Sequence, residues 1–154
     1  YAGQMRGGKC HGFGGASWAT GMYISYDGQW LRGKWHGQGF CKYRDGSSSE
    51  GQWVEGKIHG RGIYKWGGGV NSGDSYEGQF VNDLMHGHGL YKWRDGRSYV
   101  GQWQGDKQHG RGVIKFANGA SEEGPWKEAK RQGKFIFTKA DGTRYNRVYK
   151  DNAR

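Results

Sequence analysis

At 154 residues the chain has room for one ordinary domain, but 32 glycines, a single proline and 16% aromatic residues describe no ordinary core. The glycines follow no three-residue period, which excludes collagen, and eight Trp and ten Tyr exclude the aromatic-poor composition of a disordered chain. A net charge of +10 favours acidic partners (phosphates, anionic lipid or an acidic protein face), and no apolar run approaches the ~18 residues of a membrane-spanning helix.

The chain opens on Tyr1-Ala-Gly3-Gln4, inside what proves to be a repeat, so it reads as part of a longer protein. Taking the Gly of Tyr-x-Gly-Gln-Trp as a mark gives Gly3, Gly28, Gly51, Gly78, Gly101 and Gly124, at steps of 25, 23, 27, 23 and 23 residues. A fixed period in this range signals a repeat array. A His follows eight residues on in five copies (His11, His36, His59, His86, His109), and Gln132 replaces it in the sixth. Eighteen residues after each mark stands Gly21, Gly46, Gly69, Gly96, Gly119 or Gly142, four of them in Asp-Gly or Asn-Gly pairs that favour hairpin turns. Two extra residues after Gly21 and four after Gly69 are even insertions, which keep each side chain on its face if the hairpin lengthens.

Within each copy the alternation has period two, which argues strand against helix. In Tyr26-Asp-Gly28-Gln-Trp30 the Tyr, Gly and Trp share a face. Gly60, Gly62, Tyr64 and Trp66 are expected on one face of the following strand type, with Arg61, Ile63 and Lys65 on the other. Gly87, Gly89, Tyr91 and Trp93 repeat that layout. Bare glycine beside large rings predicts that a ring from one strand lies across a neighbour's glycine, with stacking burying rings against the next copy.

Several motifs tempt and fail. Gly3 to Lys9 nearly spells a phosphate-binding loop, but Cys10 stands where the hydroxyl residue belongs and no helix pattern follows. Hairpin turns account for this Gly-Lys pair and for those at Gly33 and Gly56. The His column repeats at ~10 Å if each copy adds two strands, too far for neighbours to share a zinc. A turn His bonding to backbone is the expectation, and no metal or catalytic residues are assigned. Cys10 and Cys41 occupy different repeat positions, which implies no disulfide framework and favours a reducing compartment.

Lys42, Lys65, Lys92 and Lys115 share one register position, on the face opposite the aromatic pairs. This ladder suits a partner with repeated acids or headgroups, and equally suits a solvated face that blocks aggregation. With Tyr64, Trp66, Tyr91 and Trp93, these lysines are the candidate binding residues.

Tyr76-Glu-Gly-Gln-Phe80, His86-Gly-His-Gly-Leu-Tyr91 and Asp95-Gly96 together resemble the membrane occupation and recognition nexus (MORN) repeat, in six copies over residues 1 to about 142. The resemblance implies an all-β, elongated, twisted single-layer array of stacked hairpins. Residues 1–119 form five regular repeats. Residues 120–154 form a C-terminal cap: Glu122 replaces Tyr, Pro125 replaces Gln, and a seventh start, Tyr145-Asn-Arg147, has Arg where Gly belongs.

The resemblance also implies a non-enzymatic, cytoplasmic scaffold or adaptor at the cytoskeleton or cell cortex. It would need no cofactor and would bind a peptide or helix in a groove, or a second copy of itself. The alternatives are a phosphoinositide-binding module, using the Lys ladder and a basic tail (Lys139, Arg144, Arg147, Lys150, Arg154), and an accessory domain of a larger enzyme. No nucleic-acid partner is expected.

Overall fold

The computed structural model describes residues 1–153, so Arg154 of the basic tail lies outside the described residues. Among those residues every regular element is a strand, as period two predicts. They form two compact units, one of residues 1–83 and one from Leu84 onward.

The first unit holds β1 (Ala2–Arg6), β2 (Lys9–Ser17), β3 (Tyr23–Leu31), β4 (Lys34–Tyr43), β5 (Ser48–Val54), β6 (Lys57–Lys65) and β7 (Ser75–Val81). Each pairs antiparallel with the next. The second holds β8 (Leu84–Lys92), β9 (Ser98–Gln104), β10 (Lys107–Lys115), β11 (Ser121–Lys127), β12 (Lys130–Arg131), β13 (Gly133–Thr138) and β14 (Arg144–Tyr149). There β8 to β11 pair in chain order, β11 pairs with both β12 and β13, and β13 with β14.

Register sets one residue type in a line across the strands. Gly3, Gly14, Gly28, Gly39, Gly51, Gly62 and Gly78 are successive cross-strand partners in the first unit. Gly89, Gly101, Gly112 and Gly124 are the equivalent in the second. Rings roof this row. A methyl added to Gly39 would lie 2.2–2.6 Å from the Tyr26 ring, and one on Gly112 would lie 2.1–2.4 Å from that of Tyr99. Tyr1 covers Gly14 in the same way, and Phe135 covers Gly124. The third copy has Ser49 in place of the Tyr, and Ile58 Cδ1 fills the space over Gly62.

The ring therefore covers a glycine of its own hairpin, not of the next copy as expected. The link between hairpins is the Trp. Trp30 Nε1 donates to the Gly14 carbonyl at 2.8 Å, Trp53 to Gly39 at 3.1 Å and Trp103 to Gly89 at 3.2 Å. Trp30 and Trp103 also stand edge-on to the Tyr of their own copy, Tyr26–Trp30 at 5.3 Å and 90° and Tyr99–Trp103 at 5.2 Å and 87°. Trp53, whose copy has Ser49 instead, stands edge-on to Tyr26 at 5.6 Å. That geometry contributes about 0.5–1.5 kcal/mol beyond burial.

The expected shared face for Gly60, Gly62, Tyr64 and Trp66 needs correcting at Gly60. The register shifts between Gly51 and Trp53, a β-bulge that puts Gly60 at φ +95°. A methyl on Gly60 would meet Gln52 Oε1 at 2.1 Å, whereas one on Gly62 would meet Ile58. The Gln of each start closes the bulge: Gln29 Oε1 accepts from Gln38 N (2.8 Å), Gln52 from Arg61 N (3.0 Å) and Gln102 from Arg111 N (2.7 Å). The Gln backbone carbonyl, out of step with its partner strand, accepts instead from the roofing Tyr, as Gln29 does from Tyr26 at 3.1 Å and Gln102 from Tyr99 at 3.0 Å. The Tyr–carbonyl bonds are partly buried, where an unpaired backbone group costs about 1–3 kcal/mol, while the exposed Gln bonds contribute less.

The turns bind backwards along the chain. Their two central residues have positive φ, as at Arg32-Gly33 and Glu55-Gly56, which is the hairpin geometry that produced the misleading Gly-Lys pairs. The second turn residue donates its N–H to the preceding hairpin: Gly33 to Cys10 O (2.9 Å), Gly56 to Trp35 O (3.0 Å), Asp83 to Ile58 O (2.9 Å), Asp106 to Met85 O (3.1 Å). At the other end, Asp45, Asp95 and Asp141 each accept from the N–H two residues on, as turn residues do. The insertion after Gly69 does not lengthen its hairpin. β6 ends at Lys65 and β7 starts at Ser75 in unbroken register, and the extra residues loop out, closed by Gly73 N to Trp66 O at 2.9 Å.

Two departures from the repeat after residue 120 answer one another. Glu122, at the Tyr position, is fully buried and accepts from Arg131 Nε at 2.6 Å, from the Tyr149 hydroxyl at 2.5 Å and from Arg147, the residue at the Gly position of the seventh start. Arg147 also lies 3.6 Å from the centre of the Phe137 ring, so it belongs to the cluster around Glu122 rather than to a free basic tail.

Two outcomes are expected. Gly112→Ala should cost about 2–4 kcal/mol, the range for overpacking plus a lost ring contact. Gly142→Ala has open space at φ +87° and should cost about 1 kcal/mol through backbone strain alone. Urea melts compare the two, and equal costs would refute the ring roof.

For Glu122, burial would raise the pKa. Hydrogen bonds from Tyr149 and Arg147, with the charge and hydrogen bond of Arg131, outweigh that and hold the carboxyl below its usual value. A carboxyl depressed on folding stabilises the fold above its unfolded pKa of about 4.3, and that contribution is lost as pH falls through the lower folded value. Glu122→Gln should therefore flatten the acid limb of stability below about pH 4, while costing roughly 3–5 kcal/mol at neutral pH. Acid titrations of wild type and variant check this; an unchanged limb would remove Glu122 from the account.

Candidate docking faces

Alternation gives each unit a ring face and an outer face. On the ring face of the first unit runs a line of partly exposed aromatics. Trp18 and Tyr23 are 6.1 Å apart, Tyr23 and Tyr43 5.6 Å, Tyr43 and Tyr64 5.6 Å, and Tyr64 and Trp66 4.7 Å. Trp35 closes the near end, 4.9 Å from Tyr23. The Tyr43 hydroxyl lies 3.0 Å from that of Ser49. Burial raises the pKa of Tyr23, Tyr43 and Tyr64, so their hydroxyls stay neutral donors and acceptors. Beneath them Cys41 is buried and free, its thiol pushed up to about 11 by burial, which makes it unreactive.

Tyr64 and Trp66 belong to this line as candidates. Trp18, Tyr23 and Tyr43 are not among the candidates: Trp18 and Tyr43 hold the repeat position of Trp66 and Trp93, a signal that could have found them, whereas strict alternation puts Tyr23 on the opposite face from Tyr26. A register shift between Tyr23 and Ser25 turns it back. In the second unit Tyr91 is buried at 5% exposure, between Trp93 at 4.8 Å and Trp103 at 5.8 Å, and the Arg97 guanidinium covers Trp93 at 4.9 Å. These two rings are less open than those of the first unit.

On the outer face the four candidate lysines are all exposed, and register places them among hydroxyls. In the first unit Ser25, Lys42, Ser48, Lys65 and Ser75 are successive cross-strand partners. In the second the row runs Lys92, Ser98, Lys115, Ser121, Thr138, Arg144. The turn lysines Lys34 and Lys107 pair with Glu55 and Glu128. Among the described residues the row lysines form no ion pair.

One register step away the units differ. In the first unit Asp27, Phe40, Glu50, Ile63 and Glu77 line up, so every cation has an acid on its diagonal. In the second the line is Leu90, Val100, Val113, Glu123, Ile136, and Val100 stands at the acid position.

The His column is structural in part: His59 Nδ1 accepts from Asn82 N at 3.4 Å, a long bond, while His36 Nδ1 and His109 Nδ1 are buried without a partner. His86, His88, Gln102, Trp103 and His109 line a shallow cleft of about 360 Å³ in the second unit. Among the described residues no three His, Cys, Asp or Glu side chains converge as a metal requires.

Comparison with known proteins adds one finding. A family model described as the MORN repeat matches residues 1–23, 26–48, 50–70, 76–96 and 99–121. None of the curated proteins matches the chain.

Proposed function

The chain belongs to the MORN-repeat family, and from that premise we propose that it is a non-enzymatic scaffold or adaptor whose ring face holds a partner peptide or helix, or a second copy of itself. MORN repeats mark repeat proteins that often take part in membrane or protein association. The observation that carries the reading is the line of Trp18, Tyr23, Tyr43, Tyr64 and Trp66 on a face that no second layer covers within the first unit. Aromatic side chains give large contact area at low entropic cost, and the neutral hydroxyls between them supply direction. A cytoplasmic site of action at the cytoskeleton or cortex is part of the proposal and rests on the family alone.

Trp18 is 37% exposed and sits outside the glycine roof, so Trp18→Ala should leave the melting curve unchanged. Combined with Trp66→Ala, it should lower capture of a partner from the protein's own cells, or self-association by light scattering, at least tenfold. Capture and mass both unaffected by the pair would reject the ring face as the docking site.

The row of lysines alternating with hydroxyls favours a second reading, attachment to an anionic phospholipid surface. Such binding would be electrostatic and unspecific. Replacing Lys42, Lys65, Lys92 and Lys115 together by Glu should abolish sedimentation with anionic vesicles, and so should about 0.5 M salt, where screening extends over only a few ångströms. Sedimentation that survives both changes would leave the row as a solvated face.

A further inference from the structure

We propose that the outer face of the second unit is a docking trough for an acidic amphipathic α-helix lying across β8, β9 and β10. This site is on the other side of the sheet from the ring face and does not depend on the reading above. Its floor is Leu90, Val100 and Val113, three successive cross-strand partners in a line that then meets Glu123. Val100 is 47% exposed. The equivalent residues in other copies are Asp27, Glu50, Glu77 and Glu123, so Val100 removes a carboxylate and joins two apolar neighbours into one strip.

The same exchange changes the charge balance. Lys42 and Lys65 each stand between two acids one register step away (Asp27 and Glu50, Glu50 and Glu77), whereas Val100 takes the place of such an acid beside both Lys92 and Lys115, leaving Lys115 with Glu123 alone there. Cations that have lost one acid neighbour beside an apolar strip call for a partner that brings both apolar groups and carboxylates.

Geometry selects a helix. Lys92 and Lys115 stand two strands apart, ~9.6 Å, and seven helical residues rise ~10.5 Å. Strand-to-strand steps of ~4.8 Å along the floor likewise approach the ~5.4 Å pitch of an apolar helix stripe. A planar bilayer fits less well. The valines are shorter than the lysines on one flank and Arg111 on the other, so the strip is recessed, and a single ridge of side chains can reach it.

The test uses the whole chain and a synthetic, helix-stapled peptide of about eighteen residues, with a Leu stripe and Glu seven residues apart beside it. Val100→Glu restores the acid that four other copies carry in this register, so folding should be retained. Fluorescence anisotropy should show the wild type binding the peptide, with Val100→Glu weakening it at least tenfold and Lys92→Glu with Lys115→Glu doing the same. Lys42→Glu should have no effect. Methyl NMR shifts should centre on Leu90, Val100 and Val113. Equal binding of a sequence-scrambled peptide, insensitivity to Val100→Glu, or shifts centred on the ring face would overturn the proposal. So would no detectable peptide binding, including the case where anionic vesicles alone bind and Val100→Glu releases them, which would make the strip a membrane contact.

Discussion

The contact between a tyrosine ring and a bare glycine backbone governs this structure. A sheet with so few aliphatic residues cannot form a thick apolar core, and the ring laid flat on the glycine row is what replaces it. The row must be glycine because the ring occupies the space a methyl would fill. Where the ring is Tyr26, Tyr76 or Tyr99, its hydroxyl also satisfies the carbonyl that the bulge displaces. Once the bulge is present, the Gln side chain has an N–H to receive and the Trp an exposed glycine carbonyl to find. Each residue of the repeat thus answers a need created by another.

Much of this was legible in the sequence, and the limits have a physical cause. Strand, turn and ring-on-glycine follow from alternation, from Asp-Gly pairs and from Tyr26 beside Gly28. Gln29 was opaque, since a polar residue on a polar face signals nothing. Its role depends on a bulge of two extra residues in the facing strand, an even number that leaves period two almost intact. The same blind spot hid Tyr23, whose side was misjudged by one register shift. Glu122 and Arg147 were each visible as departures from the repeat. Their pairing was not, because they are separated in sequence and only strand order brings them together.

Candidate binding residues divide along the same line. Exposure of the four lysines follows from alternation alone. Their unequal surroundings follow from cross-strand register, which makes Val100 more than an ordinary surface valine. Tyr91 shows the converse: on the ring face, a large aromatic in the expected position is as readily a roof beam as a contact surface.

The turns that donate backwards give the chain a direction. Every hairpin completes hydrogen bonds on the one before it and leaves its own second strand for the one after. In synthesis from the N-terminus, each emerging hairpin can therefore be fixed by structure already present, and never has to wait for a distant segment. Lost hairpins have unequal consequences at the two ends. Removing residues from the C-terminus strips partners from a carbonyl such as Cys10 O, Trp35 O or Met85 O, depending on the cut, whereas removal from the N-terminus leaves a turn N–H facing solvent. The series continues past the buried carboxylate and its two arginines, where Asn152 N donates back to Arg131 O at 3.2 Å.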